Sequence, residues 1–395
     1  MDTSPKAGRQ RLAKRAGRLV LSSLAGALAL ALPVQAAEPD AGGWRMSGDL
    51  RAGWFTNTTT ARDGSEDTAE SVNARLRAAL DRQFDPRWRI RLRAAARLSD
   101  DQDGMRAYLR DHAPTRTGTR FGDATLDEAY LAFAAPADGV RLRIGRFQVS
   151  NTLAGVTGKG LERVDGASLD VTWTDGVHVD LPLGNGWRGH AIAEHRPARG
   201  WTGTVRAPLD FSDDGSRTSL FVAVDNPVPL GPVTQRMLSA TWMPASIPRP
   251  GDPGARGDYG TVNARVAAGW PMGAGGRKVV AGVEVGHAFG TPDAALVGTG
   301  GSGDADGLAW QLAASVHDIL PGHHLGLVHG EVGAGWLVSP DFRGNERQTE
   351  LRYQWRIDPK TSIEARVRLR TELRAPAGGR ERRDEDAFLR VTRGF

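Results

Sequence analysis

The chain is predicted to be all-β, a transmembrane antiparallel β-barrel of eighteen strands with long external loops and short periplasmic turns; sixteen strands is the alternative count. Three observations point there. Apolar and polar residues alternate with period two from residue 44 to residue 395, and helical periodicity is scarcely visible outside the first 36 residues. The connections between alternating stretches are long and short in turn. No stretch after the N-terminal leader approaches the roughly 18 apolar residues of a membrane helix. A closed barrel is the other way for a chain to satisfy every backbone group inside lipid.

The elements follow in order. Residues 1–36 read as a secretory signal peptide: Lys6, Arg9, Arg11, Lys14, Arg15 and Arg18 precede the apolar run 19–34, and Val34-Gln35-Ala36 has the small-residue form of a cleavage site. Residues 37–43 are expected as a short periplasmic segment and 44–395 as the barrel. The leader changes the charge argument. The full chain has 51 basic and 46 acidic side chains; the leader takes six basic residues and one acidic residue (Asp2), leaving 45 of each. The basic pI belongs to the precursor, and nucleic acid is not expected as a partner. With no cysteine, disulfides and thiolate metal sites are excluded.

Strands are expected at 44–56, 72–83, 87–99, 124–135, 139–147, 166–174, 177–183, 187–195 and 201–209. The second half adds 217–225, 235–244, 259–270, 277–289, 305–318, 323–337, 347–357, 361–374 and 383–395. In 72–80, Val72, Ala74, Leu76, Ala78 and Leu80 alternate with Asn73, Arg75 and Arg77. In 87–98, arginines at 87, 89, 91, 93 and 97 alternate with Trp88, Ile90, Leu92, Ala94, Ala96 and Leu98. Segments 351–357 and 361–374 repeat the pattern with Arg352, Arg356, Arg366, Arg368 and Arg370. Long connections are expected at 57–71, 100–123, 148–165, 245–258 and 290–304. Tight ones are expected at Phe84-Asp85-Pro86, Asp175-Gly176 and Asp358-Pro359-Lys360. Every tryptophan except Trp310 falls near an expected strand end, where indole suits a membrane interface.

At LRIGRFQVSN (142–151), a strand ending Gly145-Arg146 is followed by a loop and then by Asp165-Gly166-Ala167. This pattern resembles Gram-negative outer-membrane porins. The resemblance implies an outer-membrane location, a loop after the fifth strand that folds inward to narrow a pore, and a frequently trimeric assembly. It also implies that the terminal Phe395 is an assembly signal read by the barrel assembly machinery; Ala387, Leu389 and Val391 keep the alternating pattern, while Arg393 departs from it. The Arg163…Asp165-Gly166-Ala167 stretch is also similar to alginate-export barrels, which implies an arginine-lined passage for an acidic polysaccharide.

On the barrel reading one face of each strand meets water. A basic wall is expected from Arg75, Arg77, Arg89, Arg91, Arg93, Arg97, Arg141, Arg143, Arg352, Arg356, Arg366, Arg368 and Arg370, gathered by closure of the last strand on the first. Glu162 and Asp165 in the inward loop, with Asp170, Glu194, Glu284 and Glu331, are expected to form an opposing acidic side. Charges of opposite sign across a pore set up a transverse field that favours polar solutes. The plainer account is that each arginine solvates the wall and pairs with Asp49, Asp81, Glu364 or Glu372.

GTGGSG (298–303) matches a dinucleotide fingerprint but lacks the strand-to-helix context that gives it meaning. DDQDG (100–104) and GDADG (303–307) are candidate Ca²⁺ loops, with solvated turns the commoner reading of such clusters. His317, His329 and Glu331 are placed on the lumen side, short of a metal set; no metal ligand is assigned. No nucleophile elbow or H-E-x-x-H motif occurs, so no catalytic residue is assigned. The function expected is a passive, water-filled channel for small hydrophilic, anionic solutes in a surround of outer-membrane lipid and lipopolysaccharide. A conduit for an acidic polysaccharide is the alternative, and a barrel-embedded hydrolase ranks below both.

Overall fold

The computed structural model describes residues 43–100, 106–108, 122–135, 139–196, 217–249, 251–273, 275–376 and 379–395. The expected leader, most of the segment before the first strand, most of DDQDG and the expected strand 201–209 lie outside the described residues.

Sixteen antiparallel strands close into one barrel. In order they are β1 (Trp44–Thr60), β2 (Glu66–Gln83), β3 (Trp88–Ser99), β5 (Asp123–Ala134), β6 (Arg141–Phe147), β7 (Thr174–Gly184), β8 (Trp187–Arg196) and β9 (Arg217–Asp225). They continue as β10 (Val233–Arg249), β11 (Asp252–Pro271), β12 (Lys278–Phe289), β13 (Leu308–His317), β14 (His323–Val332), β15 (Glu346–Asp358), β16 (Thr361–Glu372) and β17 (Arg383–Gly394). A three-residue segment, β4 (Arg106–Tyr108), pairs parallel with the start of β5. β1 pairs with both β2 and β17, so the sixteen-stranded wall closes on itself.

The barrel thus has sixteen wall strands, the alternative count, and not eighteen. The expected strand 166–174 accounts for one difference. Its alternation is real, but Leu169, Val171 and Trp173 are buried inside the barrel, where Val171 and Trp173 pack with Ala95. Its carbonyls meet arginines instead of a neighbouring strand. The other difference falls between β8 and β9, which pair directly with each other.

Expected loops 57–71 and 245–258 are largely strand. β1 and β2 pair as far as Thr60 and Glu66, and β10 and β11 run on to Arg249 and Asp252 through register shifts. Both stretches lose the apolar alternation because they rise beyond the apolar band, which hid them from a periodicity argument. Asp175-Gly176, expected as a turn, lies within β7. The turn at the other end of that strand is Asn185-Gly186, where both residues have positive φ (50° and 78°), as a two-residue hairpin turn requires.

Outward side chains are apolar: Leu76, Leu80, Val222, Leu238, Val266, Leu312, Leu327 and Val367 are all exposed on the outer face. Trp44, Trp88, Trp187, Trp270 and Trp355 lie near the ends joined by short turns, the lower interface. Trp54, Trp242 and Trp310 sit on the outer wall nearer the long-loop rim. Trp336 belongs to neither group. It is buried inside the barrel at 1 % exposure, in a connection rather than a strand.

Candidate functional site

The lumen is built by two connections that fold into it. Residues 148–173, after the fifth wall strand, cross from β6 to the far walls and back. The backbone N–H of Ala154 donates to Gln235 Oε1 (2.8 Å) and that of Val156 to Ser315 Oγ (2.9 Å). Lys159, 4 % exposed, pairs with Asp341 (3.3 Å) and Glu350 (3.2 Å). The N–H of Leu161 donates to Glu284 (3.3 Å), Thr241 Oγ1 donates to Glu162 (3.0 Å), and Arg163 pairs with Glu194 (2.8 Å). The segment then reaches the closing seam. There Arg75 donates to the carbonyls of Gly166 (2.9 Å) and Asp170 (3.1 Å), and Arg390 donates to Ser168 Oγ (2.8 Å).

Residues 333–345, between β14 and β15, fold onto this segment. Trp336 Nε1 donates to the Leu161 carbonyl (2.8 Å), Ser339 Oγ donates to that of Gly160 (3.1 Å), and Tyr259 OH donates to that of Gly335 (3.0 Å). Leu153, Leu161, Trp336, Leu337, Val338 and Phe342 pack against Ala288, Ala309, Ala313, Val328 and Val332 of the wall. Inward positions here are small because the space is filled from inside. A Cβ on Gly286 would stand 2.3 Å from the Trp336 ring, and one on Gly282 would stand 2.8 Å from Leu153.

These two connections redefine the acidic side. Glu162, Glu194 and Glu284 are buried and accept loop or wall donors rather than facing open water. Asn263 donates to Glu284 (2.6 Å), and Arg265 forms an ion pair with it. Asp165 ties the inward segment together, accepting from the Val149 N–H (3.1 Å) and Thr174 Oγ1 (3.2 Å). Asp170 remains half exposed, 4.0 Å from Arg97. Carboxylates aimed at the lumen of a filled barrel serve as acceptors for what fills it. Glu331 is a correction: it faces outward and pairs with Arg347 (2.5 Å), because inward positions on β14 are His324, Gly326, Val328, Gly330 and Val332. His329 shares Glu331's outer face and meets Thr349 (2.8 Å). His317 faces inward against His324, with ring centroids 5.2 Å apart.

Apart from Arg82 and Arg347 on the outer face, the arginines of β2, β3, β15 and β16 point inward and are interleaved with carboxylates. Arg75 meets Asp49 (3.0 Å) and Arg77 meets Asp127 (3.0 Å). Arg93 grips Asp127 through two bonds of 2.8 Å, and Arg91 pairs with Asp81 and with Glu128 (2.5 Å). Arg352 and Arg366 share Glu350, while Arg366, Arg368 and Arg370 converge on Asp386. Arg356 lies exposed at the lower end of β15. Asp127, Glu128 and Asp386 were absent from the sequence reading. Asp127 and Glu128 of β5 both point inward only because a bulge opposite Arg93 puts two successive residues on one face, which breaks period two.

Below the inward segment a cavity of about 620 Å³ remains, bounded by β3, β5–β9 and residues 148–151. Arg89 and Arg141 face it with 49 % and 55 % of their side chains exposed. Arg143 also lines it, beside His178, Asp180 and His190. At the seam, Phe395 exchanges backbone hydrogen bonds with Gly48 (3.1 and 3.2 Å), and its ring covers that glycine. In GDADG, Asp306 accepts from the N–H of Leu308 (3.0 Å).

No family model matches the chain, and no curated protein matches it. Solved structures do. OprB of Pseudomonas putida aligns with a TM-score of 0.59 and 9 % identity, over 90 % of this chain and 95 % of its own. OmpF of Salmonella typhi aligns at 0.52 and 10 %, over 91 % and 100 %. An anion-selective porin from Comamonas acidovorans aligns at 0.51 and 10 %, over 90 % and 100 %. The chain has the fold of Gram-negative outer-membrane porins.

Proposed function

We propose that the protein is a passive channel of the Gram-negative outer membrane for small hydrophilic solutes, with a preference for anions. One observation carries the reading: a closed barrel whose interior is narrowed by folded connections, leaving a cavity of about 620 Å³ into which Arg89 and Arg141 project half exposed. The mechanism is not a reaction. Width at the inward segment sets the size limit, and exposed guanidinium groups set the charge preference. The paired arginines of the seam contribute little to that preference, since they are largely buried against their carboxylates; Arg89 and Arg141 also lie near carboxylates, Asp81 (3.9 Å) and Asp180 (3.4 Å), but keep about half of each side chain in water. They hold the wall and the inward segment in place. Assembly as a homotrimer, a surround of outer-membrane lipid and lipopolysaccharide, and recognition of Phe395 by the barrel assembly machinery belong to the same proposal.

The test is planar-bilayer conductance under a salt gradient. An anion-signed reversal potential is expected, and Arg89→Ala with Arg141→Ala should shift it toward neutrality. A cation-signed potential in the unaltered protein contradicts the preference, and failure to conduct contradicts the channel.

A further inference from the structure

We infer that the wall of this cavity holds a binding site for a divalent transition metal of the Zn²⁺ class, with His178, Asp180 and His190 as ligands. His178 and Asp180 are two apart on β7 and share its inward face; His190 of β8 is directly opposite Asp180 in the strand register. The donor atoms of the three lie within 4.8 Å of one another. Tetrahedral donors stand about 3.4 Å apart around such an ion, so the widest pair needs to close by at most about 1.4 Å, which side-chain rotation can supply.

Two further observations point to a ligand. His178 Nε2 is buried and has no hydrogen-bond partner of good geometry, although it lies 3.0 Å from Asp180 Oδ1. His190 is held from behind, its Nε2 2.8 Å from Asp225 Oδ1, while Nδ1 is aimed at Asp180 Oδ1 (2.6 Å). A carboxylate behind an imidazole whose other nitrogen faces the metal is the support that histidine ligands receive in metal sites. Two imidazoles and one carboxylate form a donor set suited to Zn²⁺ and its neighbours and poorly suited to Ca²⁺ or Mg²⁺. All three residues line the cavity, so a fourth position is left for water or a passing solute.

Binding moves protons in a defined way. The ion replaces the proton between His190 Nδ1 and Asp180, and that proton is released to water. On His178 the ring proton shifts from Nε2 to Nδ1, where Arg143 Nη2 now sits. Arg143 must therefore leave His178 when the ion arrives. Arg141 and Arg188, which contact Asp180 (3.4 Å) and Asp225, temper the affinity without occupying the donor positions.

The experiment uses the full mature chain in detergent micelles, titrated with Co²⁺ followed by its visible absorption and with Zn²⁺ by calorimetry. One equivalent should bind. His178→Gln and His190→Gln should each weaken binding at least tenfold, Asp225→Asn about 10–100-fold, and Arg143→Gln should strengthen it. His329→Ala, on the outer face, should bind as the unaltered protein does. Heat-dependent migration on gels checks that each variant is a folded barrel, and His178→Gln carries the test if His190→Gln is not. No binding by the unaltered protein at submillimolar metal overturns the site, as does undiminished binding in folded His178→Gln.

Discussion

At the scale of single residues, the lumen is governed by charges that have left water. Glu162 belongs to the inward segment, and burial pushes its carboxyl above the ordinary carboxylate range, against the opposing effects of Ser239, Arg163 and Thr241. A raised pKa means that docking of the segment is favoured on the acid side, below the carboxyl's unfolded value. That contribution is lost as pH rises through the folded one. Hydrogen exchange across residues 148–173 should therefore be slower at acid than at alkaline pH, after correction for intrinsic rates. Glu162→Gln should flatten the dependence. The inward direction of Arg75, Arg91 or Arg368 was legible from alternation alone. Two of their partners were legible as well, Asp49 for Arg75 and Asp81 for Arg91; the others were not, because Asp127 and Glu128 reach the lumen through a bulge and Asp386 acts across β16 and β17.

At the scale of elements, the wall of β11–β14 is shaped by what it must accommodate. Glycine and alanine at its inward positions are the imprint of Trp336 and Leu153. Gly286→Val should displace Trp336 at a cost of about 1–3 kcal/mol. The check is a red-shifted tryptophan emission and earlier proteolysis within 333–345, with gel migration still that of a closed barrel. The inward segment shows the opposite limit of sequence reading. Its alternation over 166–174 was correctly seen and wrongly placed, since period two reports two unlike faces and not what lies beyond either. Likewise, the pairing of Asp180 with His190 follows from a hairpin centred on Asn185-Gly186. The expected strands 177–183 and 187–195 already bracket that centre, and its Asn-Gly pair marks the turn.

At the scale of the whole molecule, the barrel is a sleeve around a folded interior, and the segment 148–173 determines how much of the bore remains. Replacing residues 152–164 with a short Gly-Ser linker removes the contacts to β10, β12, β13 and β15 together. Single-channel conductance is expected to rise about severalfold, with weaker ion preference as the bore widens. An unchanged conductance would place the narrowest point elsewhere. The same segment carries a consequence for biosynthesis. Ser168 meets Arg390, 222 residues further along the chain, and Lys159 meets Glu350. Most of what anchors the interior has not yet been translated when the segment itself is made. The Arg390 anchor of the segment can form only after the last strand has arrived, so a chain truncated near its end loses that anchor as well as its seam.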